Sequence, residues 1–314
     1  MHQRLVFFGT PEFAVPTLTA LDDAGFEIAA VVTQPDKPVG RGLRVETPPV
    51  KVKAEELGLT VLQPLSLGNA ATSLSDELRA DFGVVVAYGK IIPKDVLNVF
   101  PRGILNVHPS RLPKYRGPSP IQAAILNGDR ETGVTIMLLD EGMDHGAILA
   151  QAKIAITPKA TGNSLNETLA QTGAKLLVET LPKYLAGEIK PQEQDHAQAT
   201  YTKILTREDG HIDWNKPAQY IERQVRAYDA WPGTWTLWER RRLKILRAVL
   251  RHNTIGCAAN RAPGYVWKPE DRRLAVNCGA GSLILEQLQI EGKKPMSADE
   301  FLRGYPKFLG GILR

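Results

Sequence analysis

The sequence predicts an α/β protein in two parts, with a parallel-rich sheet covered by helices in the first part and a smaller domain of short strands in the second. Over about the first two thirds of the 314 residues, continuous apolar runs alternate with helical segments. Beyond residue 206 the runs become short and are split by Gly and Pro. Basic residues are concentrated in the same second part. A chain of this length is sufficient for two hydrophobic cores.

The predicted strands of the first part are apolar on both faces, which is typical of parallel strands buried between layers of helices. They lie at 4–9, 27–34, 59–64, 84–89, 103–108 and 134–139. Helical patterns lie at 13–25, 49–58 and 171–188. The turn after the first strand, GTPEF, matches neither GxGxxG nor GxxxxGK[ST]. We therefore expect no nicotinamide or other dinucleotide cofactor.

The second part has the pattern of a small, OB-like β barrel behind one helix. A polar stretch without periodicity predicts a linker over 189–206, which separates a domain at 1–188 from one at 207–314. A helix is predicted over 216–229, and short strand-like runs between Gly and Pro turns follow it. The basic run at 240–247 predicts an edge strand that could also contact phosphates. Trp231 and Trp235 are expected in the core or at a domain interface.

Charge divides the chain in the same way. Residues 1–206 contain 20 Lys+Arg and 22 Asp+Glu, whereas residues 207–314 contain 19 and 12. A basic domain beside a nearly neutral one predicts a polyanionic partner such as a nucleic acid. Charge that serves solubility alone is the open alternative.

Composition argues against several classes of site. Cys257 and Cys278 have no CxxC spacing and no nearby His cluster, so we expect buried, inert thiols and no metal. No apolar run approaches the length of a membrane span, and the first residues lack a secretory signal. We therefore expect no membrane association and a cytoplasmic location.

Two polar side chains mark the end of the predicted strand at 103–108. Asn106 and His108 are two residues apart, so both face the same side of the strand. Pro109 and Pro113 prevent the strand from continuing and stiffen the chain that follows. Ligands of parallel sheets bind beyond the carboxyl ends of the strands, so this position predicts a site.

The loop after the predicted strand at 134–139 supplies acids and a second imidazole: Asp140, Glu141, Asp144 and His145. If the two strands are neighbours, a carboxylate of this loop reaches His108. Asn, His and Asp together suit acyl transfer to an amine. The amide donates to the oxyanion, the imidazole stabilises that charge or moves a proton, and the carboxylate orients the ring. A purely structural His108 is the open alternative, and His145 is a rival for the same role.

The segments NVHPSRLPKYRG (106–117) and MDHG (143–146) resemble the folate-dependent formyltransferases. Further segments resemble the branch of that family that acts on initiator methionyl-tRNA: FFGTPEFAVPTLTAL, VVTQPDKPVGRG, AYGKIIP, ETGVTIMLLDEGMDHG, EDGHIDW, WPGTWT, RLKI and GKKPM. The resemblance covers essentially the whole chain. It departs from the family at Arg111, where Leu is usual, and at GPSP, where GAAP is commoner.

The resemblance implies a Rossmann-like N-terminal domain, an OB-like C-terminal domain, and transfer of a formyl group from 10-formyltetrahydrofolate to the methionine α-amine of initiator methionyl-tRNA. Carried over residue by residue, it gives a catalytic trio, a folate loop and a tRNA-binding loop. The trio is Asn106, His108 and Asp144; the folate loop is Ser110, Arg111, Leu112 and Pro113; the tRNA-binding residues are Lys37, Arg41 and Arg44. We expect a monomer that needs no metal.

Three other functions stay open at this stage. A formyltransferase of the same superfamily could act on a sugar nucleotide or on glycinamide ribonucleotide, although a small substrate needs no basic second domain. A hydrolase could split formyltetrahydrofolate with water in place of the amine. A non-catalytic RNA-binding protein could keep the fold, although an intact trio argues against it.

Overall fold

The computed structural model describes residues 3–39, 44–68, 78–251, 261–269 and 273–314. Contacts divide the chain into two compact units. Unit 1 contains Met1–Pro120, Glu131–Ala155 and Asn166–Thr202, and unit 2 contains Ile121–Arg130, Ile156–Leu165 and Lys203–Arg314. The boundaries predicted from the sequence, at 188 and 207, stay a prediction.

The first nine strands include a seven-stranded sheet in unit 1 and a two-stranded ribbon. In chain order they are β1 (Arg4–Gly9), β2 (Glu27–Val32), β3 (Lys37–Val39), β4 (Arg44–Glu46), β5 (Val61–Leu62), β6 (Phe82–Val86), β7 (Ile104–His108), β8 (Glu131–Leu138) and β9 (Ile148–Ala155). The sheet order is β5-β2-β1-β6-β7-β8-β9, and β3 pairs with β4 alone. Apolar side chains buried on the sheet, among them Val6, Phe8 and Val32, form its core.

The direction of the strands changes at β7. Strands β5, β2, β1, β6 and β7 are parallel, as the continuous apolar runs predict. Strand β8 is antiparallel to β7, and β9 is antiparallel to β8, which corrects the expectation of a parallel strand over 134–139. The sheet is therefore parallel-rich, and the predicted fold class is confirmed.

The α-helices in the described chain before residue 190 are α1 (Val15–Asp23), α2 (Pro49–Glu56), α3 (Lys94–Leu97), α4 (Pro120–Asn127) and α5 (Gly162–Leu185). Helix α4 from Ile121 onward and the first residues of α5, up to Leu165, belong to unit 2. Helix α5 approaches the sheet closely at Gly173, because a Cβ there would lie 2.6 Å from Cγ1 of Val107. The side chain of Val107 therefore faces α5. Alternation along β7 places Asn106 and His108 on the opposite face.

Unit 2 contains the second sheet, which is antiparallel. Its elements are α6 (Ala218–Ala227), β10 (Trp235–Trp238), β11 (Arg241–Leu250), β12 (Val266–Trp267), β13 (Ala275–Asn277), β14 (Ser282–Ile290), β15 (Met296–Ser297) and α7 (Ala298–Gly304). The strand order is β10-β11-β14-β13-β12, with β15 beside β14. Side chains from the strands and from both helices, including Ile221, Leu243 and Phe301, form one buried core.

Strand β11 carries the basic run but is not an edge strand, because it pairs with β10 on one side and β14 on the other. The sequence prediction of a basic edge is therefore wrong. Leu243 and Ile245 face the core, while Lys244 between them is exposed. A strand with one buried and one solvated face gives this alternation.

The two tryptophans that the sequence places in the core or at a domain interface differ in their exposure to solvent. Trp235 is 8% exposed, as predicted for a core residue, whereas Trp231 is 50% exposed and is not a core residue.

Among the described helices, none combines the length and the hydropathy that a bilayer span requires.

Candidate active site

Asn106 and His108 lie on the buried strand β7, with 8% and 4% of their surfaces exposed. Strand β7 is flanked by β6 and β8, so its backbone groups are paired on both sides. Its central position therefore fixes where these two polar side chains leave the sheet.

The loop after β8 brings Asp144 to the same place. Strand β8 ends at Leu138 opposite Leu105, and the loop folds back along β7 from there. Asp144 Oδ1 lies 3.5 Å from Asn106 Nδ2 and 3.5 Å from His108 Nδ1. Both separations are long for hydrogen bonds, as is common for catalytic groups before a substrate is bound. The three residues that the sequence predicts as a trio are therefore neighbours in space.

The backbone at Asp144 is in the left-handed region, with φ 47°. Aspartate tolerates this conformation better than most side chains do. Its Oδ2 accepts a hydrogen bond of 2.7 Å from the Gly117 N–H. One carboxylate oxygen is thus fixed by the backbone, and the other faces Asn106 and His108.

The imidazole of His108 has a fixed orientation. Its Nε2 lies 3.0 Å from the carbonyl oxygen of Tyr115, and a carbonyl can only accept, so Nε2 carries a hydrogen. The Nδ1 atom then faces Asp144. Of the two ring nitrogens, Nδ1 is the one placed to take part in chemistry with the carboxylate.

The segment from Ser110 to Pro113 forms a rigid turn whose polar groups are largely satisfied within the protein. Ser110 Oγ donates to the Lys114 carbonyl at 2.6 Å. Thr135 Oγ1, buried on β8, donates to the Ser110 carbonyl at 2.7 Å and accepts from the Leu112 N–H at 3.1 Å. The peptide bond before Pro113 is cis. The hydrogen bonds of Ser110, Leu112 and Thr135 make this turn a preorganised wall beside β7.

The side chain of Arg111 points along the surface of β8 and β9. Its Nη1 is 3.0 Å from Glu131 Oε1, and a Cβ on Gly133 would lie 2.7 Å from Arg111 Cγ. Lys153 lowers the pKa of Glu131 through a hydrogen bond and its charge, and Arg111 adds a smaller effect. Arginine is larger than the leucine that is usual at this position. It fits here because Gly133 leaves room for it and Glu131 pairs with its charge.

The other polar residues of the 139–147 loop order the loop itself. Asp140 Oδ1 accepts from the Gly142 N–H at 2.9 Å, and Asp140 Oδ2 is 2.6 Å from His145 Nδ1. The Glu141 carboxylate pairs with Lys94 on the surface. These contacts pair His145 with Asp140, while His108 lies beside Asp144.

Three residues near the site were not singled out from the sequence. Arg116 is 1% exposed and its guanidinium contacts Gln194 and His196, while Gln194 contacts the backbone of the Asp144 loop. Gln194 and His196 lie in the polar stretch predicted as a linker, which has no periodic signal. The ring of His196 stacks on His145 at 4.0 Å.

The predicted tRNA-binding residues lie in and beside the β3–β4 ribbon. Lys37 is exposed and its Nζ is 2.6 Å from Gln34 Oε1. Arg44 begins β4. Arg41 lies outside the described residues.

The sequence also predicts that the two cysteines are buried, inert thiols and that the chain holds no metal. Cys278 is buried, and burial raises the pKa of its thiol to about 12, which makes it unreactive. Cys257 lies outside the described residues. Within the described ranges, no group of three or more His, Cys, Asp or Glu side chains is arranged to hold a metal ion.

Comparison with known proteins identifies the family. Residues 3–181 match the formyl transferase family, and residues 204–306 match the formyl transferase C-terminal domain. The chain is 49% identical over 306 residues to "Methionyl-tRNA formyltransferase" of Roseiflexus castenholzii, which covers 97% of this chain and 96% of that protein. A protein of the same name from Caldanaerobacter subterraneus is 44% identical over 99% of this chain and 100% of its own. The chain belongs to the methionyl-tRNA formyltransferase family.

Solved structures of distant relatives share the fold of this family. An N-formyltransferase from Helicobacter canadensis, in complex with folinic acid and dTDP-3-aminofucose, has a TM-score of 0.68 at 20% identity and covers 91% of this chain and 99% of its own. HypX from Aquifex aeolicus, in complex with tetrahydrofolic acid, has a TM-score of 0.67 at 17% identity and covers 98% of this chain and 48% of its own. At this identity, the likeness concerns the fold alone.

Proposed function

We propose that Asn106, His108 and Asp144 catalyse the reaction of this formyltransferase. The enzyme transfers the formyl group of 10-formyltetrahydrofolate to the α-amine of initiator methionyl-tRNA. The observation that carries the proposal is the convergence of an amide, an imidazole and a carboxylate, with Asp144 Oδ1 at 3.5 Å from the other two.

In the proposed mechanism, the neutral amine of the methionyl ester attacks the formyl carbon. The carbonyl electrons move onto oxygen, and Asn106 Nδ2–H donates to this oxyanion. His108 donates to it from Nδ1 as well, which requires a ring with a hydrogen on both nitrogens in this step. The bond from the formyl carbon to the folate nitrogen then breaks. The proton that the amine loses moves to that nitrogen, with Asp144 Oδ1 holding His108 in place and assisting the transfer.

The turn at Ser110–Pro113 lines the folate pocket in this proposal. Its backbone is tied to Thr135, and its Arg111 side chain is paired with Glu131, so the turn shapes the pocket instead of reaching into it. Preorganised walls of this kind hold a substrate in a reactive geometry without further ordering cost. Lys37, Arg41 and Arg44 contact the acceptor end of the tRNA.

The enzyme acts as a monomer in the cytoplasm in this proposal. All three reactive side chains belong to one chain and lie within unit 1, so no second copy is needed to complete the site. Charged tRNA for translation is supplied in that compartment. Light scattering of the purified enzyme at assay concentration tests the oligomeric state, and a dimer mass would contradict this part of the proposal.

The first experiment measures formyl transfer from 10-formyltetrahydrofolate to charged initiator methionyl-tRNA, with charged elongator methionyl-tRNA as control. We expect the initiator to be formylated and the elongator not. The Asp144→Asn variant, which keeps the shape of the side chain, is expected to bind both substrates and to lose turnover. Folate consumption without transfer would indicate a hydrolase, and full turnover by Asp144→Asn would contradict the role of the trio.

A further inference from the structure

The buried cation Arg116 is held by neutral groups. Its Nη2 and Nε are 2.7 Å and 3.1 Å from Gln194 Oε1, its Nη2 is 2.8 Å from His196 Nδ1, and its Nη1 is 3.3 Å from Tyr201 Oη. Burying a charge is costly even when hydrogen bonds satisfy it. A gain in folding stability therefore does not explain why Arg116 is buried. The contacts that its partners make give another explanation.

The guanidinium fixes the orientation of the Gln194 amide. Arginine can only donate, so the atom of Gln194 that faces it must be the oxygen. The Nε2 donors then point the other way, where they lie 2.9 Å from the Asp144 carbonyl and 2.8 Å from the Gly146 carbonyl. Arg116 thus determines which end of the amide meets the Asp144 loop.

Asp144 is held from two directions by the same short segment. The side chain of Arg116 acts through Gln194 on the Asp144 carbonyl. The next residue, Gly117, donates its N–H to Asp144 Oδ2 at 2.7 Å. The Arg116 N–H in turn donates to the Thr200 carbonyl at 2.8 Å, so the segment is anchored itself. A left-handed aspartate needs such constraints to keep its carboxylate in one place.

We propose that Arg116 and Gln194 are positioning residues for formyl transfer, which hold the main chain of Asp144 so that its carboxylate faces Asn106 and His108. The inference rests on the proposed catalytic role of Asp144. It assigns a function to the polar stretch at 189–202, whose side chains reach the site although they contribute no reacting group.

The decisive variant is Gln194→Glu. A glutamate keeps the size of the side chain and still accepts from Arg116, but it replaces the amide donors with an oxygen that repels the carbonyls of Asp144 and Gly146. We expect turnover to fall about 100-fold, which is the typical cost of a small displacement in an active site. The KM for each substrate and the melting temperature are expected to stay close to those of the parent enzyme. Gln192→Glu, two residues earlier with an exposed side chain, is the matched control and is expected to retain full turnover.

A double-mutant cycle with Asp144→Asn separates the outcomes. If Gln194 acts through Asp144, the double variant is no slower than Asp144→Asn alone. Losses that multiply, or normal turnover of Gln194→Glu while Asp144→Asn is inactive, would overturn the inference and leave the proposed function intact. A parent enzyme without transfer would instead refute the function itself. If Gln194→Glu folds poorly, Gln194→Met, assayed per folded molecule, replaces it: loss of turnover at unchanged KM supports the inference, and full turnover refutes it.

Discussion

Asn106 contributes a neutral donor whose effect on the reaction can be isolated from its effect on the fold. Its side chain leaves a buried strand, and its Nδ2 lies 3.5 Å from Asp144 Oδ1, so that contact is weak before substrate binds. Most of its bonding capacity is therefore available to the substrate. Residues of this type act mainly on the transition state, in which the charge on oxygen develops.

The change Asn106→Ala is expected to lower kcat by about 100- to 1000-fold, because one donor to the oxyanion is lost. The affinity for methionyl-tRNA is expected to change little, since the amide contacts the reacting centre and not the nucleic acid. Single-turnover formylation and filter binding measure the two quantities. A near-normal kcat would contradict the role assigned to this residue.

Gly117 is required by two features of its position. Its φ is +101°, and a Cβ there would lie 2.7 Å from the Thr202 carbonyl oxygen. Gly117→Ala is therefore expected to displace the N–H that holds Asp144 Oδ2, and to lower kcat together with stability.

Gly187→Ala is the control, because Gly187 has φ +77° and nothing within 4 Å of its Cβ. It is expected to cost about 1–2 kcal/mol of stability and no turnover. Equal kcat values for the two variants, measured per folded molecule, would contradict the prediction.

At this scale spacing on a strand and a matched motif predict that Asn106, His108 and Asp144 form one group, and the three are neighbours in space. Their catalytic role stays a prediction. The sequence does not predict Arg116 and Gln194. They meet across 78 positions of the chain, and neither belongs to a periodic pattern. Their pairing depends on how residues 189–202 return to the sheet, which no local signal specifies.

At the scale of elements, six strands of the first sheet were predictable, whereas β9 and the direction of β8 were not. A strand buried on both faces has the same apolar run whether it is parallel or antiparallel. The reversal at β8 matters, because the loop after β8 must fold back along β7 to bring Asp144 to His108.

The end of α6 offers a test of stability at alkaline pH. Burial raises the pKa of Tyr228 from 10.0 to about 12. In the unfolded chain this phenol ionises near pH 10, while in the folded protein it keeps its proton, so the unfolded state is favoured as the pH rises from 10 to 12. The effect amounts to roughly 2–3 kcal/mol at its limit. Tyr228→Phe is therefore expected to lose less stability than the parent over this range. Urea unfolding at pH 8 and pH 11 measures it, and equal losses in both proteins would refute it.

At the scale of the whole molecule, the uneven distribution of charge can be recognised from composition alone. Strand β11 carries part of the positive charge on its exposed face. Lys244 is exposed between buried neighbours, and Arg247 is exposed and pairs with Glu286. Side chains on such a face can meet phosphates without disturbing the core. The sequence therefore predicts the partner class, although it assigns the basic run to the wrong place in the sheet.

Replacing Lys244 with Gln is expected to weaken tRNA binding and to reduce the slope of log K against log salt concentration by about 1, as for the loss of one phosphate contact. The KM for 10-formyltetrahydrofolate is expected to stay constant. Lys175→Gln, which removes another exposed charge, from α5, is the control and is expected to leave the slope unchanged. Titrations at several salt concentrations give the slope, and identical slopes for both variants would contradict a phosphate contact at Lys244.

The return of residues 192–202 to the sheet also has a consequence for biosynthesis. Strands β1, β2, β6 and β7 precede Gln194 in the chain, and the Asp144 carbonyl gains its hydrogen bond only when Gln194 has been made. The last of these contacts joins Thr202 to Arg116 and Ser119, more than 80 positions earlier. Because domains form from the N-terminus during synthesis, a nascent chain stalled before residue 194 would hold a folded sheet in which the Asp144 main chain lacks its contact with Gln194. The enzyme therefore becomes competent late in its own translation.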